Sequence, residues 1–479
     1  MITSATDQAP AGTEPPSETG EALQLDRPRL GVDTDTEVCV VGAGLAGLTV
    51  ARELARNGTS VVVLEGRHVG WNASGHNLGA VMPGYAVAVE ELIARVGVED
   101  TSELWALSQQ GADYVRATAV EACPQTVRAG GALDVSTVDA GDRLIGRLQT
   151  LSENFGADVE GWQVERVRDT LKTDRYFHAL HFPGAFQLDP RCYLDGLARL
   201  AEQAGVRIFE DTPVVSIDHG GIRKRIVTPS ARLRASHVVL AGNLHIGAPA
   251  LRLAGTLLPV WRYAALTAPL GDRLDEVIGF RGSVSDDNGI DHFRIVGDNR
   301  LMWSSPETTW QANPEKFGKA IRRRIRTVFP QLADVGIENV WSAAFGRTVH
   351  GMPQIGQLRP GLWVASGFGR QGLNTTAAAG ELIAKAILER DDRWRLFSPF
   401  ELVWTGGTAG RAVGHAANVL SRQTAALAGT FSRLRERAAV RERDREMARA
   451  RRLAAIKVRS AEMMRRSSAL QRSSRQDSL

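Results

Sequence analysis

Three glycines, Gly42, Gly44 and Gly47, stand in the spacing G-x-G-x-x-G with Leu45 and Ala46 between them. A carboxylate, Glu65, follows the first of them by roughly 20 residues. These residue types at this spacing hold a dinucleotide. Gly42 permits a tight turn, Gly44 lets backbone approach a pyrophosphate, and Gly47 lets a helix pack on a strand. Free amides at the helix start stabilise the phosphate charge. Glu65 is placed to accept hydrogen bonds from a ribose, which favours an unphosphorylated one. A second glycine cluster, Gly367, Gly369 and Gly372 with Arg370, Gln371 and Leu373, repeats the spacing near residue 370. No acid-bearing strand follows it, and Glu389 would lie on the helix itself. It reads as a loop and helix N-terminus aimed at the same cofactor, whose dipole would stabilise negative charge on a reduced ring. Residues 68–85, HVGWNASGHNLGAVMPGY, add small residues suited to backbone lying against a ligand, or to a plain surface loop.

The elements that must position these groups follow from periodicity. Residues 37–41 are a buried apolar strand, 48–56 have helical spacing, and 60–64 form a second β-branched run. Residues 90–96 and 102–122 predict helix, 130–137 a turn into a strand, and 141–170 helix again. Residues 189–217 predict a helix and then a strand, and 235–243 another buried strand. Alternating helix and apolar strand implies a parallel sheet. From 260 to 340 the strands lengthen and mix their faces, which suits an antiparallel sheet with one exposed side. The fold class is therefore α/β: a dinucleotide domain assembled from 33–90, 190–250 and 350–405, interleaved with an α+β substrate domain from 91–189 and 251–349. Trp261, Tyr263, Phe293 and Trp303 on the middle strands would form an apolar or cation-binding wall; the same residues would serve equally as core. A basic helix over 317–329 reads as a solvated face.

Composition narrows the function classes. The chain has 479 residues, 43% of them hydrophobic and 23% charged, as in a soluble globular protein. No apolar run is long enough to cross a bilayer, and no secretory signal opens the chain. Three cysteines, Cys39, Cys123 and Cys192, are few, scattered and odd in number, without metal spacing; a buried thiol at Cys39 and a reducing cytoplasmic location are expected. Residues 1–30 read as a disordered leader. The net charge of +4 hides a tail, 411–479, that carries 16 Arg and one Lys against six acids, or +11, so the rest sums to −7. This tail predicts an exposed or partly disordered basic helix. Peripheral contact with anionic lipid is the sharper reading of it, and nucleic acid is disfavoured because stacking aromatics are nearly absent.

In order, the fingerprint, the acid, ASGxNxG, TPVVSI and GxGRxG resemble the D-amino-acid-oxidase-type FAD-dependent oxidoreductases, in particular the gamma-glutamylputrescine oxidase-like branch, over about 35–400. The resemblance implies FAD and a small-molecule amine substrate beside the flavin. Hydride passes from the carbon next to nitrogen, the resulting imine hydrolyses, and the electron acceptor is oxygen or another species. It places Gly42, Gly44, Leu45 and Ala46 at the pyrophosphate, Glu65 at the ribose and Val214 at adenine. Ser74, Asn77 and Gly79 lie beneath the flavin, and Gly369, Arg370, Gln371, Gly372 and Leu373 at its pyrimidine edge. Two departures stand out: His76 where the branch has arginine, and RLMWSS over 300–305 where it has RLLFGG. His76 stands three residues before Gly79, as does a flavin-linked histidine in dimethylglycine-dehydrogenase-like relatives; an unlinked FAD is the alternative. In glycine-oxidase-like relatives an arginine four residues after a tryptophan grips the substrate carboxylate. The matching frame here, Trp341 to Phe345, ends in phenylalanine, which favours an amine or N-substituted amine over a simple amino acid, although Arg347 lies two residues on. Met302 stands where an oxygen-activating lysine is found in oxidases of this type, with His76, His292 or His350 as other sources of positive charge. An enzyme using NAD alone and a flavoprotein whose tail docks it to a membrane or partner are the rival readings.

Overall fold

The computed structural model describes residues 10–13, 15, 26–286, 291–297, 299–304 and 307–476. It divides into two units, Met1–Arg422 and Gln423–Leu479. Most of the expected leader lies outside the described residues. What is described of it is held in place, contrary to the expectation of disorder. Ala11–Gly12 forms an edge strand against Ser342 and Trp341, Arg27 pairs with Glu202 at 2.7 Å and Glu210 at 3.2 Å, and Leu30 is buried.

The β-branched run at the fingerprint becomes strand Thr34–Val41, flanked in parallel by Val61–Leu64 and Arg232–Leu240. Arg207–Phe209 extends the sheet beyond Val61–Leu64, and Leu362–Ser366 lies parallel to the second half of Arg232–Leu240. The first half of that same edge pairs antiparallel with Lys224–Val227. The central strand reads as an unbroken apolar run because both faces are covered: Cys39 faces one core cluster, while Val38 and Val40 face another. On the second face lie helices Leu45–Arg56, Val89–Ala122, Pro190–Gln203 and Gly372–Leu388. Close crossings are made by small residues, as at Gly380, where a Cβ would stand 2.4 Å from Thr49 Cγ2. Helix Pro190–Gln203 begins where the sequence signals it: Pro190 takes the first position and the Asp189 carboxylate accepts from the amides of Arg191 and Cys192.

The second sheet has nine strands in the order Ala11–Gly12, Ile337–Arg347, Leu258–Thr267, Arg300–Ser304, His292–Val296, Ser283–Asp286, Ala132–Val135, Ala179–Phe182 and Glu160–Trp162. Only Ser283–Asp286 with Ala132–Val135 is parallel. Helix Pro314–Val328 covers one face through Ile321, Ile325 and Val328, packing onto Phe293, Trp303 and Phe329. An exposed second side was expected, but nine of the ten residues of Leu258–Thr267 are buried, because its other face closes a cavity. The helix expected over 141–170 is broken: Gly141–Gln149 continues as a π-helical turn, then strand Glu160–Trp162 precedes helix Val164–Leu171. Helix Val89–Ala122 is likewise kinked at Gly97, whose φ of 85° is non-helical.

Cys123 and Cys192 are joined in a disulfide with Cα atoms 6.0 Å apart, leaving Cys39 free and buried. The buried Cys39 thiol is as expected, and the pairing of the other two was not anticipated. The pair is 69 residues apart in sequence, and only the packing of Val89–Ala122 on Pro190–Gln203 brings it together. A helix covers Gly407–Gln476. Its beginning is not a free tail: Arg411 is buried, its Nε donates to the Thr309 carbonyl, and Thr309 Oγ1 donates back to Arg411 O. Among the described residues no helix is long and apolar enough to cross a membrane.

Candidate active site

The turn after Thr34–Val41 shows why glycine is required. Gly42 sits at φ 109°, which L side chains rarely adopt, and a Cβ on Gly47 would stand 2.1 Å from the Gly42 carbonyl oxygen. Helix Leu45–Arg56 starts with no side-chain cap from Gly44 and no acid in its first turn, so its N-terminal amides suit an anion. Ser74 Oγ accepts from the Leu45 amide at 3.1 Å. Glu65 is buried at the end of Val61–Leu64 and accepts from the amides of Ala43 at 2.8 Å and Arg67 at 2.9 Å. Burial pushes its carboxyl up, and those two amides oppose the push. Each oxygen keeps a second lone pair for a hydroxyl.

Two adjoining cavities share Ala73, Ser74 and Asn243 in their walls. The smaller, about 320 Å³, is lined by Gly42, Gly44, Glu65 and Val214, the expected adenosine side. The larger, about 1020 Å³, is lined by Leu45, Ser74, His76, Asn77, Gly79 and the loop 369–373. Ala46 and Gly47 are on neither wall; they are buried in the helix packing. Asn77 shapes its own loop: its Nδ2 donates to Ser74 O and its Oδ1 accepts from the Gly79 amide. His76 Nδ1 lies 3.0 Å from the Asn72 carbonyl. Asn72 ties the two sheets together, donating to His245 Nε2 at 2.6 Å and accepting from the Ala344 amide at 3.1 Å. The second uncapped helix N-terminus, at Gln371 and Gly372, opens on the larger cavity, again without an acid in its first turn. Two amide-rich helix starts on adjoining cavities fit a dinucleotide with a ring that becomes anionic on reduction.

The far part of the larger cavity is built by the second sheet. Arg262, Ala264, His292, Trp341, Ala343 and Phe345 line it. Trp261, Tyr263, Phe293 and Trp303 do not: they are buried on the other face, where Phe293 and Trp303 stack at 4.4 Å and Tyr263 stacks on Phe317 at 3.7 Å. Of the two roles the sequence left open for these four aromatics, core is the one they fill, since successive side chains alternate between the faces. Met302 is also packed in core, with Ala264, Leu266 and Trp341. Arg347 is not on the wall; its guanidinium stands 3.9 Å from Glu307.

Glu307 carries no signal in the sequence. It is buried and faces three guanidinium groups: Arg370 at 2.6 Å, Arg262 at 3.6 Å and Arg347 at 3.9 Å. Burial alone would raise its carboxyl, but Arg370 and Arg262 hold it below the usual range. Burial lowers Arg262 to about 10, against the pull of Glu307. Arg262 Nε also donates to Ser304 Oγ at 3.1 Å. Beside it, His292 Nδ1 meets Ser285 Oγ at 3.1 Å, while its buried Nε2 has no hydrogen-bond partner among the described residues. Burial, with Arg262 and Arg294 nearby, lowers His292 to about 3, so the ring is neutral.

A parallel glycine-fingerprint sheet joined through two adjoining cavities to an antiparallel sheet defines a two-part flavoenzyme. The FAD dependent oxidoreductase family of D-amino-acid-oxidase type matches residues 37–386, and this chain belongs to it. It is an FAD-dependent oxidoreductase. The chain is 32% identical over 370 residues to the probable oxidoreductase OrdL of Haemophilus influenzae, covering 75% of this chain and 85% of that protein. It is 27% identical to the gamma-glutamylputrescine oxidoreductase of Escherichia coli, covering 76% and 86%. The fold matches L-proline dehydrogenase from P. horikoshii with a TM-score of 0.65 at 18% identity, covering 78% of this chain and 100% of that one. Glycine oxidase from Geobacillus kaustophilus matches with 0.62 at 21%, covering 77% and 98%.

Proposed function

We propose that, within a family acting on amines and amino acids, this enzyme oxidises the C–N bond of an amine or N-substituted amine. The observation that carries the reading is Phe345. It lies on the cavity wall at the position where the resemblance leads one to expect a carboxylate-gripping arginine. Cations on the wall are already engaged: Arg262 by Glu307 and Ser304, Arg370 by Glu307 and Arg147 by Asp134. Trp341, Phe345 and Phe368 offer apolar surface to a substrate chain instead. FAD, when bound, supplies the acceptor for the hydride leaving the carbon beside nitrogen, and water then hydrolyses the imine to a carbonyl compound and a smaller amine or ammonia. The chain's residues hold the reactants. Glu65, Val214 and the Gly42–Gly44 turn take the adenosine end; Ser74, His76, Asn77, Gly79 and residues 369–373 take the flavin end. His292, kept neutral by burial beside Arg262, adds no charge to this wall, so the amine must enter with its nitrogen lone pair already free to assist hydride loss. With Met302 buried in core, no lysine on its strand serves oxygen, which supports a slow oxidase or a dehydrogenase with another acceptor.

Stopped-flow flavin bleaching with matched amines and amino acids tests this. The expected result is fast reduction by N-substituted amines and slow reduction by glycine and alanine, with slow reoxidation in air. Fast bleaching by glycine or alanine would overturn the assignment.

A further inference from the structure

The second unit carries a surface that the flavin chemistry does not use. Within helix Gly407–Gln476, Leu427, Phe431 and Leu434 are 60%, 63% and 55% exposed. They are spaced four and then three residues apart, and Ala438 follows four later. In the sequence the seven-residue spacing of Leu427 and Leu434 reaches back to Leu420 and Val413, with Ala417 and Thr424 in between at the alternate positions. A straight helix drifts about 20° per seven residues, so a strict seven-residue seam stays on one line only if the helix supercoils about another. The seam is also narrow. The positions beside it are Ser421, Gln423, Ala428, Thr430, Arg435 and Arg437, whereas a helix lying in a lipid interface presents a wide apolar face.

From this we infer that the helix from about residue 413 to 442 pairs with the same helix of a second copy, as a parallel, in-register coiled coil. Leu420, Leu427 and Leu434 occupy one core position, and Ala417, Thr424, Phe431 and Ala438 the other. One cross-seam charge pair fits self-pairing. In a parallel pair the residue before each Phe431-type position faces, across the seam, the residue five further along the partner helix. Arg437 then meets Glu442 of the second copy, and by symmetry the same pair forms twice. Both residues are exposed. The other three such pairs, Ala416 with Ser421, Gln423 with Ala428 and Thr430 with Arg435, bring no like charges together, and the apolar seam ends where Arg441 stands seven residues after Leu434.

Sedimentation of the full-length holoenzyme over a range of concentrations tests the pairing. A species of twice the 51.9 kDa chain mass is expected. The double variant Leu427→Arg with Leu434→Arg should weaken it at least about tenfold, with flavin absorbance and melting of the larger unit unchanged. Arg437→Glu and Glu442→Arg should each weaken pairing about threefold, and the two together should restore it. Three results would overturn the inference: a monomer at every concentration, a dimer indifferent to the leucine variant, or a monomer that binds anionic phosphatidylserine vesicles through these leucines. Charge variants that fail to rescue each other would overturn the parallel register.

Discussion

At His76 a hydrogen bond assigns one ring nitrogen. The Asn72 carbonyl can only accept, so Nδ1 carries the hydrogen. The residue lines the flavin-side cavity, in the register of histidines that carry a covalent flavin, within a loop otherwise like the branch that binds FAD without a bond. We expect no bond: the ring is anchored within its own loop and positions the cofactor through polar contact. Acid denaturation should leave a polypeptide of unmodified mass and a yellow supernatant. A chain heavier by one FAD would reverse the assignment. Other site residues differ in how far they announce themselves. The glycines and Glu65 were legible because their requirement is local, set by one turn and one strand end. Glu307 was not, since an acid amid polar residues acquires meaning only when arginines from three distant segments converge on it.

Among the elements, the middle strands show how a correct secondary-structure reading can still miss a site. Alternation says that Arg262 and Ala264 share one face and Trp261 and Tyr263 the other; it does not say which faces the flavin. Size and aromaticity pointed to the tryptophans, yet they fill the layer beneath helix Pro314–Val328. Trp303→Ala should therefore cost about 3–5 kcal/mol of stability, as removing a buried ring does, while relative rates across a series of amines stay fixed. Phe345→Ala should do the opposite, changing those relative rates with a smaller loss in melting temperature. Calorimetry and the amine series on both variants check this pair of outcomes. The disulfide was hidden for a related reason: an odd count of three cysteines carries no information about which two meet.

For the whole molecule, two buried neutral histidines set a direction of acid sensitivity. His245 is lowered to about 4, by burial and then by Arg67, and His292 to about 3. Unfolded histidine titrates near 6.5, so between that pH and the folded values the unfolded chain holds the protons and the folded chain does not. Stability therefore rises with pH in this window and is lost as pH falls from about 6.5 toward 4. Melting temperatures measured from pH 7 to 4 should decline, and replacing His245 with glutamine should flatten the decline. A melting temperature that is level over this range would count against neutral buried rings. The overall α/β plan was legible from periodicity. The edge strand Ala11–Gly12 was not, because two residues of a polar leader become a strand only when Ile337–Arg347 offers an open edge.

The cluster at Glu307 also constrains the order in which this site can change over generations. One buried carboxylate balances three guanidinium groups from separate segments, of which Arg370 and Arg347 stay partly exposed. A lineage that loses the acid first must pass through a form with three like charges crowded together, which buried electrostatics penalise heavily. Losing Arg347 first, the most distant of the three, leaves the acid paired and the remaining excess charge smaller. Routes to a new substrate range at this wall therefore begin at the arginines and reach Glu307 last, if at all.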